Sequence, residues 1–353
     1  MLAADVFGDC ETRDAACDLL VLDYQGGGFF AEDIHSRLLP AIESFAPDYF
    51  LYGSGFEVRP QLLDEIAKHT LVLGNTADTV AALKNPELFF IACQASGVCV
   101  PQTMCSPPAN MAGSWLEKQI GGSGGMHIRA YGDDLFPASS QQVYYQKQTP
   151  GIPYSCLFLA NGQEIKVVSF QRQLLAPQDH GLPYRYGGLS SGVVIPSQLQ
   201  QDLADAALKL TLWFGLVGLN SLDCLVDHES FQVLEINPRL SASFSLYKHG
   251  ADLLRMHILA CQGLDLHMMG FPSHENAAES LTHLVLYAEH DLVIPAGFDW
   301  PVWSMDRPLP GFFVIKDAPL CTVQALAEDT IKSEKLAQQR AIILQHALSQ
   351  FGH

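Results

Sequence analysis

Positive charge is scarce in this 353-residue chain. Lysine and arginine together number 20 against 38 aspartates and glutamates, which gives a formal net charge of −18, and the isoelectric point is near 5.0. Nucleic-acid binding relies on clustered lysine and arginine, and the sequence contains no basic run of that kind. We therefore expect no nucleic-acid partner. An anionic small molecule is compatible with the composition if a few cations gather at its site.

Long apolar runs and paired cysteines are also missing. No stretch of about 18 uncharged apolar residues occurs, and the N-terminus has no basic segment followed by an apolar one. We therefore expect neither membrane insertion nor secretion. The nine cysteines form no C-x-x-C pair, which favours reduced, buried thiols over a disulfide framework or a zinc site. The cytoplasm is the expected location.

The N-terminal part has the pattern of an α/β unit. Between positions 17 and 72, short apolar runs alternate with helical stretches, which indicates a parallel sheet with helical crossovers. Glycine breaks at 26–28 and 53–55 follow predicted strands, where such sheets tend to hold ligands. Neither break has the G-x-G-x-x-G spacing, so they give little support for a dinucleotide site.

The rest of the chain is predicted to be richer in antiparallel strands. Helices at 76–83 and 86–95 lead into short strands separated by glycine and proline turns, which favours an antiparallel sheet. These strands are predicted at 114–118, 126–130, 142–146, 155–160 and 164–170. A helix over 198–214 then precedes strands at 219–226 and 231–236, and the C-terminal part from about 281 returns to strands and ends in a helix over 331–350.

The segment 231–244, FQVLEINPRLSASF, carries the most informative polar residues. Glu235, Asn237 and Arg239 are predicted to project from one face of a strand, which Val233 and Ile236 do not share. Carboxylate and amide oxygens suit Mg²⁺, and a guanidinium can pair with a phosphate. The plain alternative is a core strand with a polar exit and a proline-closed turn.

Asp223 lies twelve positions before Glu235, on the preceding predicted strand. A hairpin would bring the two carboxylates together, where they repel unless a cation lies between them. The alternative is an ordinary polar residue at a strand end.

A second polar segment, WLEKQIGGSGGMHIR, runs from 115 to 129. Lys118 ends a strand and is followed by four glycines in five residues, so backbone N–H groups can approach an anion while the ammonium neutralises it. The pattern differs from the G-x-x-x-x-G-K-[ST] loop, and a flexible hairpin tip is the alternative. The next strand, 142–146, stops before a Pro-Gly turn and could act as a hinge whose backbone edge pairs with a heterocycle.

Taken in order, these segments resemble the ATP-grasp superfamily, in which a nucleotide lies between two α+β lobes. One lobe supplies a lysine and a Gly-rich loop, and the other supplies an acidic, acidic-x-Asn strand hairpin. Residues 75–103, which end in GVCVPQT, look like the start of that nucleotide fold. Within the superfamily, the sequence is most similar to the predicted ATP-dependent carboligases, a group that includes tyramine–glutamate ligases of methanofuran synthesis. This likeness rests on ADVFGD (4–9), YGSGFE (52–57), GN (74–75) and PLCTV (319–323).

The resemblance implies a mixed α/β and α+β architecture, the ATP-grasp fold, in three parts. Residues 1–84 would form an N-terminal open α/β (pre-ATP-grasp) domain, from which the first strand–helix unit is expected to be missing. Residues 85–145 would form the ATP-grasp N-terminal lobe with its Gly-rich loop. Residues 146–353 would form the C-terminal lobe with the metal-binding strands and a C-terminal extension.

The resemblance also assigns roles to residues. Lys118 and Arg239 would be catalytic, since Lys118 would contact the phosphates and Arg239 would stabilise charge on the transferring phosphoryl group. Asp223, Glu235 and Asn237 would hold Mg²⁺, with two ions implied. The ATP-binding set, in which the backbone of Gln146 and Lys147 meets the adenine edge, comprises Leu116, Lys118, Gly121, Gly122, Gly124, Gly125, Gln146, Lys147 and Leu225.

The implied reaction is ATP-dependent ligation of a small carboxylate to an amine through an acyl phosphate, as in methanofuran- or tetrahydromethanopterin-type one-carbon cofactor pathways. Such catalysis is mostly positioning and charge neutralisation. Two alternatives stay open: a catalytically silent ATP-binding regulatory protein on the same fold, and a phosphotransferase that stops at the phosphorylated carboxylate. A homo-oligomer is compatible with either. Candidates for the acceptor side, taken from motif order alone, are His127, Arg129, Arg172, Arg185, Ser241 and Ser243.

Overall fold

The N-terminal unit is built on two pairs of short parallel strands. The computed structural model describes residues 1–25, 27–108, 114–132, 142–177, 182–247, 249–270 and 279–350. The first and second strands pair in parallel, as do the fifth and sixth, and this agrees with the predicted alternation of strands and helices. The elements are β1 (Leu2–Asp5), α1 (Cys10–Ala15), β2 (Asp18–Val21), the hairpin strands β3 (Tyr24–Gln25) and β4 (Gly28–Phe29), α2 (Ala31–Asp33), α3 (Leu39–Phe45), β5 (Tyr49–Leu51), α4 (Gln61–Ile66) and β6 (Leu71–Leu73).

One apolar helical face holds this unit together. A π-helical turn over Ile34–Leu38 joins α2 to α3. Ile34, Leu38 and Ile42 recur every fourth residue, are each at most 2% exposed, and belong to one cluster with Leu62 and Ile66 of α4. Spacing of this kind places the side chains on one side of a helix. The strand β1 lies ahead of the expected start of the sheet, and the absence of a strand–helix unit stays a prediction.

Two consecutive helices connect this unit to a four-stranded antiparallel sheet. Helix α5 (Ala77–Lys84) ends at Asn85, whose side chain accepts hydrogen bonds from the N–H groups of Glu87 and Leu88 and so caps α6 (Pro86–Ala95). The sheet contains β7 (Thr103–Met104), β8 (Trp115–Gln119), β9 (Ile128–Ala130) and β10 (Val143–Lys147), in the order β7-β10-β8-β9. The expected boundary after residue 145 falls inside β10, and the three-part division stays a prediction.

A larger antiparallel sheet of eight strands dominates the remainder. The strands from this part of the chain are β11 (Ile152–Asn161), β12 (Ile165–Leu175), β13 (Tyr186–Ser190), β14 (Val217–Asp227), β15 (Ser230–Asn237), β16 (Ser280–Tyr287), β17 (Leu292–Val293), β18 (Ser304–Met305), β19 (Phe313–Val314) and β20 (Pro319–Ala327). The order in the large sheet is β15-β14-β11-β12-β13-β16-β20-β18, and β17 pairs with β19 separately. The predicted antiparallel strands are confirmed.

Helices cover both faces of the large sheet. Helix α7 (Ser197–Phe214) packs on one face, where Cys156 and Phe158 of β11 are buried. Helix α8 (Gly250–Cys261) packs on the other, against Leu157 and Leu159 of the same strand. Two 3-10 turns, Ala242–Leu246 and Leu266–Met268, flank α8. At the far end, α9 (Thr330–Ser349) contacts β16 and β20.

Over the described parts of the chain, we find no helix with the length and apolar character needed to cross a membrane.

Candidate functional site

A cavity of about 340 Å³ lies between the four-stranded sheet and the end of the eight-stranded sheet. This volume is within the usual range for small-molecule sites, roughly 300–1,000 Å³. Strands β8 and β10 line one side, and β14 and β15 line the other. The predicted residues that border this cavity are Leu116, Lys118, Gly124, Gly125, Gln146, Lys147, Asp223, Leu225 and Glu235.

A smaller cavity of about 40 Å³ adjoins it beneath the glycine loop. Gly121 and Gly122 border this space together with Gln146 and Glu235, which also line the larger cavity. Asn237 and Arg239 line neither cavity. They reach the site through hydrogen bonds, from Asn237 Nδ2 to Asp223 Oδ2 at 3.0 Å and from Arg239 to Asn237 Oδ1 at 3.3 Å.

Two cross-strand pairs form one wall of the larger cavity. Leu116 lies opposite Gln146, and Lys118 lies opposite Tyr144. Because alternate residues of a strand share a face, all four side chains point into the cavity. The ammonium of Lys118 donates to Oε1 of Gln146 at 2.7 Å. Burial disfavours the charged form of Lys118 and lowers its pKa to about 8. An anion bound next to the ammonium would offset this cost of burial.

The backbone N–H groups at the predicted adenine contact already have hydrogen-bond partners in the protein. The N–H of Lys147 donates to the carbonyl of Gln102 at 2.8 Å, and the N–H of Gln148 donates to Ser114 at 2.9 Å. An adenine contact through the N–H of Lys147 would have to replace its bond. The side chain of Gln146, in contrast, holds Lys118, a role that sequence reasoning missed.

The glycine loop requires glycine at defined positions. Gly121 has φ +74° and a Cβ there would lie 2.7 Å from the carbonyl of Glu57, while at Gly125, with φ +72°, a Cβ would lie 1.8 Å from the carbonyl of Tyr184. The N–H of Tyr186 donates to the carbonyl of Gly124 at 2.9 Å. The loop is therefore fitted closely against both the N-terminal unit and the large sheet.

The hairpin of β14 and β15 brings the acidic residues together as predicted. Asp223 lies directly opposite Glu235, while Cys224 lies opposite Val233, so Leu234 is an extra residue in a β-bulge. The bulge keeps Val233 in the core cluster with Ile236, and it lets both Leu234 and Glu235 border the cavity.

The two carboxyl groups have shifted pKa values of opposite direction. Burial raises the pKa of Asp223, and the charge of Glu235 raises it further. The side chain of Glu235 is 38% exposed to the cavity. Burial would raise its pKa also, but the charge and hydrogen bond of Lys84 outweigh that effect and hold it below its usual value. One carboxylate therefore ionises readily while its neighbour resists ionisation until a further cation approaches.

The donor set at this hairpin fits a magnesium ion. Oδ1 of Asp223 is buried and has no hydrogen-bond partner among the described residues. The carboxylate of Glu235 and the amide oxygen of Asn237 complete a set of hard oxygen donors, which Mg²⁺ prefers. When bound, Mg²⁺ would neutralise charge on these oxygens and on a phosphate.

Sequence reasoning missed Lys84, the last residue of α5. Its Nζ lies 2.8 Å from Oε2 of Glu235 and 3.3 Å from Oδ1 of Asn237. It is separated from Glu235 by 151 positions, so no local pattern could have linked the two residues.

Arg239 is held by the N-terminal unit. Its Nε donates to Oε1 of Glu57 at 2.6 Å, and the two side chains are only 10% and 3% exposed. Although burial opposes ionisation of Glu57, the guanidinium lowers the pKa of that carboxyl. Sequence reasoning quoted Glu57 only within a resembling segment and gave it no role.

The six acceptor-side candidates do not converge. His127 borders both cavities, and burial lowers its pKa to about 4, so its ring is neutral at pH 7. Arg129 pairs with Glu117, and Arg172 lies 3.5 Å from Glu334. Arg185 stacks over the ring of Tyr287 at 3.8 Å, Ser243 is buried, and the buried hydroxyl of Ser241 has no partner among the described residues.

A separate cavity of about 360 Å³ lies near β17 and α9. None of the predicted site residues borders it. The cavity between the two sheets is therefore the candidate site, because the cations, the glycine loop and the carboxylates meet there.

The comparisons with known proteins agree with this geometry. Residues 88–243 match the family model described as an ATP-grasp domain. The matched segment makes up less than half of the 353-residue chain. Most of the site lies in the matched ATP-grasp segment, although Glu57 and Lys84 precede it. No curated protein matches the chain by sequence comparison.

Solved structures share the ATP-grasp fold over almost the whole chain. A Rhizobium etli pyruvate carboxylase has a TM-score of 0.70 and 15% identity over 99% of this chain, which spans only 35% of that protein. The biotin carboxylase domain of Hydrogenobacter thermophilus 2-oxoglutarate carboxylase, solved with MgADP and bicarbonate, has a TM-score of 0.71 and 10% identity, with 96% of this chain and 84% of that one covered. N5-carboxyaminoimidazole ribonucleotide synthetase from Thermotoga maritima has a TM-score of 0.65 and 12% identity, with 96% and 90% covered. Identities this low establish a shared fold.

Proposed function

We propose that the protein is a Mg²⁺-dependent ligase that uses ATP to join a carboxylate to an amine. The observation that carries the proposal is the meeting of Lys118, the glycine loop and the Asp223–Glu235 pair at one cavity of about 340 Å³. Lys118 and the glycine loop on one side face the carboxylates of Asp223 and Glu235 on the other, which is an arrangement that suits a polyphosphate with a divalent ion.

The reaction would proceed in two displacements. A carboxylate oxygen of the first substrate attacks the γ-phosphorus of ATP, and the bond to the β-phosphate oxygen breaks, which gives an acyl phosphate and ADP. The amine nitrogen of the second substrate then attacks the acyl carbon, phosphate leaves, and the nitrogen loses a proton to form an amide.

The protein's own groups would position and neutralise charge in these steps. Lys118, fixed by Gln146, lies where it can pair with a phosphate oxygen. Arg239, fixed by Glu57, lies next to the metal-binding Asn237 and is placed to balance charge on the transferring group. Asp223, Glu235 and Asn237 would hold the magnesium, two ions being the number proposed.

The proposed substrates are a small carboxylate and an amine, and more specifically glutamate and tyramine. Any small carboxylate and amine would satisfy the general reaction. The motifs at 4–9, 52–57, 74–75 and 319–323 favour glutamate and tyramine, and hence a role in one-carbon cofactor synthesis.

ADP release tests the proposal. The protein would be incubated with Mg²⁺ and ATP together with pools of carboxylates and amines, including glutamate with tyramine. Release that depends on both partners supports the ligase, while release with the carboxylate alone supports a phosphotransferase. Nucleotide binding without release in any mixture supports a silent ATP-binding protein.

The variant Glu235→Ala tests the metal assignment. We expect turnover of Mg-ATP to be lost, because the ion would lose a carboxylate ligand, while circular dichroism shows an intact fold. Full ligase activity in this variant would remove Glu235 from the metal site.

A further inference from the structure

The cavity of about 360 Å³ near β17 and α9 has the size of a small-molecule site. Its walls come from the end of β16, the segment that contains β17, the start of β20 and the last turn of α9. None of the residues that line it contributes to the proposed active site. The cavity is therefore a candidate site for a second ligand.

The lining combines carboxylates with apolar side chains. Glu289 and Asp291 border the cavity and are exposed, as is His290 between them. Leu292 and Leu348 supply apolar surface, and no lysine or arginine of the described chain borders this space. Carboxylates attract a positive charge, while the apolar side chains favour a hydrocarbon group. The lining thus suits an organic cation, such as a protonated amine with an apolar body.

Tyr287, the last residue of β16, connects this cavity to the glycine loop. It borders the cavity, and its hydroxyl donates to the carbonyl of Tyr186 at 2.7 Å. The N–H of Tyr186 donates in turn to the carbonyl of Gly124 at 2.9 Å. Tyr186 and Gly124 both line the proposed nucleotide cavity. The two cavities are therefore joined by two hydrogen bonds that share Tyr186.

Arg185 supports the same connection. Its guanidinium lies over the ring of Tyr287 at 3.8 Å and donates to the carbonyl of Asp317 at 3.2 Å. Its side chain is 1% exposed, and its Cα would lie 3.4 Å from a Cβ placed on Gly125. A side chain packed this closely has little room to move. A change at the ring of Tyr287 would therefore reach the backbone on which the loop packs.

We propose that the cavity beside α9 binds an organic cation, and that the bound cation holds the glycine loop against the large sheet. The ammonium group would pair with Glu289 and Asp291, and the apolar group would lie on Leu292 and Leu348. This site goes beyond the proposed function, although its effect on nucleotide binding rests on that function.

The effect on the loop would pass through Tyr287. A ligand in contact with its ring would restrict the ring and keep its hydroxyl on the carbonyl of Tyr186. The bond from Tyr186 to Gly124 would then open less often, because the ligand favours the state in which the strand is held in place. A nucleotide that needs the loop to separate from the sheet would bind more weakly.

Binding is measured by isothermal titration calorimetry on the 353-residue chain without nucleotide, with cyclohexylmethylamine as the probe. We expect this amine to bind about tenfold or more tightly than cyclohexylacetate, an anion of similar shape. The double variant Glu289→Gln/Asp291→Asn should weaken amine binding about tenfold, because it removes both charges. Asparagine still offers an oxygen to the N–H of Lys316, which donates to Asp291 at 2.7 Å.

A matched control separates this site from general surface charge. Glu328→Gln removes an exposed carboxylate that pairs with Lys332 and lies outside the cavity lining, and it should leave amine binding unchanged. If the double variant does not fold, each single variant replaces it, with a loss of about threefold expected. Equal affinity for the amine and the anion, or full amine affinity in the folded carboxylate variants, would overturn the site.

Hydrogen exchange at the amide of Tyr186 tests the connection, again without nucleotide. Saturating cyclohexylmethylamine should slow this exchange about threefold or more in the wild type. Tyr287→Phe keeps the ring but removes the hydroxyl, so this variant should bind the amine as tightly as the wild type and show no slowing. Unchanged exchange in the wild type, or equal slowing in Tyr287→Phe, would overturn the connection.

Mg-ADP binding distinguishes a failure of this inference from a failure of the proposed function. Saturating cyclohexylmethylamine should weaken Mg-ADP binding about threefold, and an unchanged or raised affinity would overturn the effect on the loop. If Mg-ADP does not bind under any condition, the proposed ligase function fails, while slowed exchange at Tyr186 would still support the cation site.

Discussion

At the scale of single residues, His283 shows how a buried side chain is committed to one protonation state. It is 6% exposed. Its Nδ1 lies 3.0 Å from the hydroxyl of Ser245, and its Nε2 lies 3.1 Å from the amide nitrogen of Gln324, which can only donate. If the ring were protonated, the N–H at Nε2 of His283 would face the N–H group of Gln324, and two donors would repel each other. Burial lowers the pKa of His283 to about 4.

This shift predicts a loss of stability in mild acid. The unfolded chain takes up the proton near pH 6.5 and the folded chain only near pH 4, so the free energy of unfolding falls as pH decreases through that window. The shift corresponds to about 3 kcal/mol at most. Urea unfolding of the wild type and His283→Gln at pH 7 and pH 4.5 should show a smaller acid-induced loss in the variant. Equal losses would mean that folding does not lower the pKa of His283.

At the scale of secondary structure elements, the glycine loop offers a matched pair of positions. Gly124 and Gly125 both have positive φ, at +67° and +72°. A Cβ at Gly124 meets nothing within 4 Å, whereas one at Gly125 would collide with the backbone of Tyr184. Substitution by alanine strains the backbone at both positions, but only the second also displaces the loop.

We therefore expect Gly125→Ala to impair nucleotide binding far more than Gly124→Ala does. Isothermal titration calorimetry with Mg-ADP should show a loss of about tenfold or more in affinity for Gly125→Ala and a much smaller loss for Gly124→Ala. Equal effects would indicate that backbone strain alone, and not contact with the large sheet, governs the loop.

The elements also show where sequence reasoning reached its limit. The pairing of Asp223 with Glu235 could be predicted, because a short turn between two apolar strands fixes a hairpin. The bulge at Leu234 could not be predicted, because one extra residue in a strand produces no distinct local sequence pattern. The bulge nevertheless decides which side chains reach the cavity. Strict alternation puts Val233 on the same face as Glu235, so the expectation that Val233 lies away from that face holds because of the bulge and not because of alternation.

Local patterns also predicted the helix pair α5–α6 and the glycine loop, but not Lys84 or Glu57. Their partners are 151 and 182 positions away, and a lone lysine at a helix end or a lone glutamate in a loop is ordinary in any sequence. Contacts of this kind depend on the packing of distant elements, which single-sequence patterns do not encode.

At the scale of the whole molecule, the N-terminal unit is attached to the turn that carries Arg239. The hydroxyl of Tyr52 lies 2.7 Å from the carbonyl of Asn75 and 3.2 Å from that of Pro238. The side chain of Asn75 donates to Asn220 at 2.8 Å and to Pro238 at 2.9 Å. Tyr52 and Asn75 thus hold the turn that carries Arg239.

Two ion pairs join distant parts of the chain and should contribute unequally to its stability. Glu57 and Arg239 are 3% and 10% exposed, whereas Glu11 and Arg307 are 35% and 32% exposed. Glu57→Gln should lower the free energy of unfolding by about 3 kcal/mol, because it leaves a buried guanidinium without its counter-charge. Glu11→Gln should cost less than about 1 kcal/mol. Urea unfolding at neutral pH measures both, and comparable losses would contradict the distinction by burial.

In the described part of the chain, a hydrogen bond from the N–H of Tyr186 to the carbonyl of Gly124 joins the glycine loop to the large sheet. Since Gly124 borders the cavity, we expect a nucleotide that enters there to break this bond. Hydrogen exchange at the amide of Tyr186 would then measure how often the glycine loop separates from the large sheet.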